Sequence, residues 1–329
     1  MKIAIIGDGG WGTANALLLH GYGHDVVVWG YSAEYEAEVN RLHENVRYLK
    51  GVAIPESIRF TADRAAAVDG ADIVVVASPS KFLGDVCAGF RGLVRPDATT
   101  VSLTKGFCEK THKRMSELAR SAMGVEKVVV LSGPTHAEEV SRGLPTTAVA
   151  AADDIADAKA VQAIWNGPKF RVYASDDPVG VEVGGAVKNV IAVAAGCSDG
   201  LGFGDNTRAA LLTRGLAEVI RFAMAYGAKR PETLFGLSGL GDLVVTCNSR
   251  HSRNHMVGER LGRGEKIADI LASMQMVAEG VGNARMVREM AQELGVEMPI
   301  VEMVYRVCFE DFPAQDAMRA LMERPMKAE

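Results

Sequence analysis

Nowhere in the 329 residues do about 18 apolar residues run together, so no membrane span stands out. The apolar run Ile3 to Ile6 is cut off by Gly7, Asp8, Gly9 and Gly10, well short of a signal-peptide core. Cysteine is scarce: Cys87, Cys108, Cys197, Cys247 and Cys308 are five in number and widely spaced, with no CxxC pair and no His at metal spacing. A disulfide framework and a zinc site are therefore excluded, no metal is expected, and a reduced cytoplasmic protein follows. Positive charge is not in excess either. The 36 Lys plus Arg against 41 Asp plus Glu give a net charge of −5, which disfavours nucleic acid and membrane surfaces as partners and leaves only a local basic patch. Internal repeats and low-complexity linkers are also missing.

What is present is a globular composition, 48% hydrophobic and 23% charged, in a chain long enough for two domains. Strand and helix patterns alternate through the first half. Strands are expected at 2–6, 25–29, 72–76, 99–103 and 127–131, and helices at 11–20, 33–43, 81–93 and 111–123. Wholly apolar strands such as Ile73-Val74-Val75-Val76 belong to a parallel sheet covered on both faces, so the fold class is α/β with a doubly wound sheet. Strands at 146–151 and 170–173 extend that sheet. After about Pro178 only helices are expected: Leu212, Leu216, Val219, Ile220 and Ala223 share one face, as do Val301, Val304, Tyr305, Cys308 and Phe309. The domains are therefore drawn at 1–177 and 178–329.

The 35 glycines exceed the usual share of roughly 7%, and they cluster beside polar residues. Gly7-Asp8-Gly9-Gly10-Trp11-Gly12 fits GxGxxG after a strand and before a helix. There Gly7 allows the turn, Gly9 lets a pyrophosphate approach the backbone, and Gly12 permits close helix packing. An NAD-selective site carries an acid at the end of the second strand for the ribose 2′-hydroxyl. Here that strand ends Trp29-Gly30-Tyr31-Ser32, with neither that acid nor an Arg for a 2′-phosphate. NADP and NAD both remain open.

Further polar clusters follow the later strands. Thr104-Lys105-Gly106 places a Lys at the ligand-binding edge of the sheet. Ser132-Gly133-Pro134-Thr135-His136-Ala137 reads equally as a ligand loop or as a turn capped by Thr135. Lys188 and Asn189 fall inside an apolar helical stretch, where they cost free energy unless paired or facing a cavity; snorkelling of Lys188 to the surface is the alternative. Last come Gly239-Leu240-Gly241-Asp242, Thr246 and Ser252-Arg253-Asn254. With Ser252 as N-cap, Arg253 and Asn254 stand at a helix start suited to phosphate.

Together these stretches closely resemble NAD(P)-dependent glycerol-3-phosphate dehydrogenase. GDGGWGTANA, SLTKG, SGPTHA, VGGAVKNV, GLGFGDNT, GLSGLGDLVVTC, SRN and VAEGV occur in the expected order over nearly the whole chain. The resemblance implies a Rossmann-type domain followed by an all-helical C-terminal domain, and NAD(P)H-dependent reduction of dihydroxyacetone phosphate to sn-glycerol 3-phosphate for phospholipid synthesis. It implies Lys188 as the proton-transferring residue. Substrate contacts are expected from Lys105, Gly133, Thr135, Asn189, Asp242, Thr246, Ser252, Arg253 and Asn254. Cofactor contacts are expected from Gly7, Gly9, Gly10, Trp11, Gly12, Tyr31, Lys105, Ala137, Arg253, Val277 and Glu279. Tyr31 and His136 depart from the residues usual in this family. A homodimer is a further expectation. Two competing functions share the glycine loop: another hydroxyacid or ketoacid reductase, and a nonenzymatic dinucleotide sensor. Ser252-Arg253-Asn254 argues for a phosphorylated substrate, and Lys188 with Asn189 has no use in a sensor.

Overall fold

A computed structural model describes residues 1–249, 251–274 and 277–326. Its chain falls into two compact units, Met1–Cys108 with Lys113–Pro178, and Glu109–His112 with Val179–Glu329. In the first unit the elements run β1 (Lys2–Ile6), α1 (Gly10–Gly21), β2 (Asp25–Trp29), α2 (Ala33–Leu42), β3 (Arg59–Thr61), α3 (Arg64–Val68), β4 (Ile73–Val76) and α4 (Ser80–Ala88). They continue with β5 (Thr99–Ser102), α5 (Met115–Met123), β6 (Val128–Ser132), α6 (Ala137–Val140), β7 (Thr146–Ala151), α7 (Ile155–Trp165) and β8 (Phe170–Ser175).

The eight strands form one sheet in the order β3-β2-β1-β4-β5-β6-β7-β8. Alternate residues of β1 enter different cores: Ile3 and Ile5 pack on one face with Leu19, Val161 and Trp165, while Ala4 and Ile6 pack on the other with Leu83, Phe90 and Met115. Both faces are thus covered, which is why the strands read as unbroken apolar runs. The strand order turns at β1 and β4, and such a switch point opens a crevice at the C-terminal ends of the strands.

Several expected elements are corrected. β7 runs antiparallel to β6, so the sheet is mixed rather than parallel throughout. β3, α3 and α7 add elements that the sequence pattern does not mark. The helix expected over 111–123 starts only at Met115, because His112 holds the left-handed φ of 55° and Arg114 caps the helix through Glu117. The helix expected over 81–93 ends at Ala88 and continues as turns.

The second unit is helical: α8 (Pro178–Gly200), α9 (Asp205–Tyr226), α10 (Glu232–Phe235), α11 (Asp242–Asn248), α12 (Arg253–Gly262), α13 (Ile267–Ala272), α14 (Glu279–Glu293), α15 (Pro299–Phe309) and α16 (Ala314–Met322). A π-helical turn, Leu237–Gly241, leads into α11. Among the described residues, α8 alone is long and apolar enough to cross a membrane, but 94% of its most apolar window is buried inside the protein. It is the core helix of this unit. α12 lies against it so closely that a Cβ on Gly258 would fall 2.0 Å from Val193 O, and one on Gly196 2.0 Å from His255 O. Only glycine permits that backbone contact, and it sets the start of α12 beside the middle of α8.

Candidate functional site

In the first unit the candidate residues collect in the loops after β1, β2, β5 and β6. Gly7 takes φ 126°, and a Cβ there would lie 2.8 Å from the Ala77 carbonyl carbon that follows β4. A Cβ on Gly12 would fall 2.0 Å from Gly7 O, whereas one on Gly9 meets nothing within 4 Å. Two glycines therefore close the turn and the third leaves space above it. Gly10 is pressed on Tyr48 O, and Trp11 and Ala137 pack against the same apolar core. The first turn of α1 has no acidic residue and no side-chain cap. Its leading N–H groups have no intrahelical acceptor and carry the positive end of the helix dipole. A cradle this tight, open over Gly9 and edged with backbone donors, fits the pyrophosphate of a dinucleotide.

Lys105 Nζ donates to Gly133 O at 3.0 Å, joining the loops after β5 and β6. Thr104 Oγ1 donates to Ser78 O at 2.8 Å, which ties the β5 loop to the one after β4. Thr135 does not cap a helix: its Oγ1 donates to Gly133 O at 3.1 Å, and α6 starts after His136, which makes no side-chain cap. The capping alternative for Thr135 is thereby removed. Tyr31 is 83% exposed, free to lie against a bound planar group but held by no packing.

Sequence reasoning misses Asn45, which is fully buried and organises this loop. Its Nδ2 donates to Asp8 O and to Thr13 Oγ1, both at 2.7 Å, while its Oδ1 accepts from the Tyr35 hydroxyl at 2.7 Å and Tyr48 N at 3.1 Å. Asn45 lies in an irregular stretch 37 residues from Asp8, and no pattern in the sequence signals the contact.

In the second unit, Lys188 and Asn189 are each 6% exposed, so Lys188 does not snorkel. Lys188 Nζ donates to Asp242 Oδ1 at 2.5 Å and to Thr246 Oγ1 at 2.6 Å. Asp242 and Thr246 are one turn apart on α11 and so present one face to the lysine. Asn189 Oδ1 accepts from Asn254 Nδ2 at 2.9 Å, and Asn254 Oδ1 accepts from Gly280 N at 2.9 Å. Ser252 is the N-cap of α12, its Oγ accepting from His255 N at 3.2 Å. The buried polar groups of this cluster thus satisfy one another, as a low-dielectric interior requires.

Arg253 lies on the exposed side of the same helix start, and Val277 is 46% exposed two residues before Glu279, the first residue of α14. The structure joins Lys188, Asp242 and Thr246 in one hydrogen-bonded group and Asn189, Asn254 and Gly280 in another, with Ser252 capping the helix that carries Asn254. No group of three or more His, Cys, Asp or Glu able to hold a metal occurs among the described residues. Burial pushes the thiols of Cys87, Cys247 and Cys308 up to about 12, so these cysteines are inert fillers rather than nucleophiles.

Sequence profiles of the NAD-dependent glycerol-3-phosphate dehydrogenase N-terminus and C-terminus match residues 2–158 and 177–319. The NAD(P)+ glycerol-3-phosphate dehydrogenase of Chlorobium phaeobacteroides (strain BS1) is 48% identical, over 100% of this chain and 99% of its own length. That of Geobacillus kaustophilus is also 48% identical, over 100% and 96%. The crystal structure of glycerol-3-phosphate dehydrogenase from Coxiella burnetii superposes with a TM-score of 0.93 at 37% identity, covering 98% of this chain and 99% of that one.

Proposed function

Since the chain belongs to the NAD-dependent glycerol-3-phosphate dehydrogenase family, we propose that its two residue clusters divide the chemistry of that reaction between them. The activity is the NAD(P)H-dependent reduction of dihydroxyacetone phosphate to sn-glycerol 3-phosphate, a reversible step that supplies the backbone of glycerophospholipids.

Reduction of the ketone needs a hydride at C2 and a proton at the developing alkoxide. A reduced nicotinamide supplies the hydride when bound. The chain's own residues do the rest. Gly7, Gly9, Gly10, Trp11 and Gly12 hold the pyrophosphate against the start of α1, with Tyr31, Lys105, Ala137, Arg253, Val277 and Glu279 as further cofactor contacts. Lys188 polarises the C2 carbonyl and donates its proton to the oxygen; in the oxidative direction, neutral Lys188 takes the proton back. Asp242 and Thr246 fix the ammonium in one place, and orientation of this kind is worth more than contact alone. Arg253 and Asn254 at the start of α12 grip the phosphate, the guanidinium able to bond two oxygens at once. Lys105, Gly133, Thr135, Asn189 and Ser252 complete the substrate contacts.

The observation that carries this reading is the buried Lys188–Asp242–Thr246 cluster: a lysine sealed in an apolar helix and fixed by two partners suits proton transfer. The test is to follow NADH and NADPH oxidation with dihydroxyacetone phosphate, with unphosphorylated ketoacids as controls. Turnover with the phosphorylated ketone alone is expected. Turnover with the ketoacids instead would favour another reductase, and none with either a dinucleotide sensor.

The five free cysteines support a reducing, cytoplasmic setting. Exposed apolar side chains at Phe235, Leu240 and Val244 support a homodimer, which light scattering on the purified chain tests.

A further inference from the structure

In dinucleotide-binding sheets, the carboxylate that reads the adenosine ribose stands at the C-terminal end of the second strand. Here β2 ends at Trp29 and the next residue, Gly30, has no side chain. Two carboxyls from elsewhere fill the space beside it. A Cβ on Gly30 would lie 1.6 Å from Glu36 Oε1 and 2.9 Å from Asp8 Cγ. Glu36 comes from the first turn of α2 and is 2% exposed; Asp8 comes from the glycine loop and is partly exposed. An acid could not stand at Gly30 itself without evicting Glu36.

Both Glu36 carboxyl oxygens are buried with no N–H or hydroxyl partner among the described residues, and the group they meet is the Asp8 carboxyl. Two carboxyls bond to each other only if one holds a proton. The more deeply buried Glu36 holds it, since burial and the charge on Asp8 both push its pKa up. Burial raises the Asp8 pKa as well, but the hydrogen bond from Glu36, its own backbone N–H and the charge of Arg47 all oppose that rise, so Asp8 keeps the negative charge. Asp8 is also fixed by its backbone, whose carbonyl accepts from Asn45 and Thr13. The net result is one carboxylate, oriented by a proton donor, at the end of β2. The opposing cation is Arg47, whose guanidinium lies over the Tyr35 ring at 4.1 Å on the exposed side, where solvent screens it.

We propose that Asp8, positioned by Glu36, replaces the missing strand-end acid and makes the site favour NADH over NADPH. The Asp8 carboxylate accepts a hydrogen bond from the ribose 2′-hydroxyl, whereas a 2′-phosphate sets like charge against it and offers no proton in return. The inference rests on the dehydrogenase reading above and assigns that site its cofactor.

The test is direct binding: fluorescence titration of the purified chain with NADH and with NADPH, without substrate. The wild type should bind NADH at least about tenfold more tightly, and the uncharged isosteric pair Asp8→Asn/Glu36→Gln should bring the two affinities to within about threefold of each other. Equal affinities in the wild type, or an unchanged ratio in the folded double variant, would overturn the proposal. Should the double variant not fold, the wild-type ratio alone decides. If the wild type binds neither nucleotide, the dehydrogenase reading itself falls and takes this one with it.

Discussion

Lys188 Nζ sits 2.5 Å from Asp242 Oδ1, with 8% and 2% of the two side chains exposed. A buried pair of this kind adds little stability compared with apolar residues of the same volume, yet breaking it is expensive because one charge is left alone. Asp242→Ala should therefore cost about 3 to 5 kcal/mol, read as a drop in Tm. The double change Lys188→Met/Asp242→Leu should recover most of that stability while turnover stays lost. Recovery of turnover in the double variant would show that the pair serves the fold only.

Arg253 offers the opposite case. It is exposed on α12, so Arg253→Ala should move stability by no more than about 0.5 kcal/mol. Steady-state kinetics should show a higher KM for dihydroxyacetone phosphate and, because remote binding energy also orients the reacting carbon, a lower kcat. An unchanged KM would remove Arg253 from the phosphate site.

Gly258 tests the helix contact that sets the second cluster. A Cβ there would fall 2.0 Å from Val193 O, a backbone atom that cannot swing aside. Gly258→Ala should cost at least about 1 to 3 kcal/mol by thermal denaturation, and should weaken substrate binding by shifting Ser252 to Asn254. A variant with unaltered Tm would contradict the close approach of α8 and α12.

Glu218 gives a pH signature. This buried side chain caps α15, its Oε1 accepting from Ile300 N at 2.8 Å and its Oε2 from Val301 N at 3.3 Å. Burial raises its pKa from 4.5 to about 7, with the two backbone donors opposing. The folded chain then holds a proton that the unfolded chain has released. Its contribution is full below pH 4.5 and fades as pH rises through about 7, a swing on the order of 3 kcal/mol. Comparing Tm across that range for the wild type and Glu218→Gln should show a steeper decline in the wild type. Parallel curves would refute it.

How much of this is legible in the sequence depends on the range of the interaction. Gly7, Gly9 and Gly12 are local: strand, turn and helix lie within a dozen residues, and backbone geometry demands the pattern. Lys188 and Asn189 stand out because polar groups inside an apolar helix must find partners, although only the fold names Asp242, Thr246 and Asn254 as those partners. β3 escapes notice because Arg59, Phe60 and Thr61 bury one side chain and form no apolar run. The direction of β7 is set by its pairing with β6, not by its composition. The Asp8–Glu36 pair is invisible for the same reason: a loop residue and a helix residue meet across a glycine, and the place where a single acid would signal a nucleotide shows only Gly30.

The central claim is that Lys188 moves the proton. The most direct measurement is single-turnover reduction of dihydroxyacetone phosphate by pre-bound reduced cofactor in Lys188→Ala, alongside fluorescence titration of cofactor binding. Proton transfer by Lys188 predicts a rate lowered by about 100 to 10,000 fold with cofactor affinity largely unchanged. A near-normal rate in that variant would contradict it.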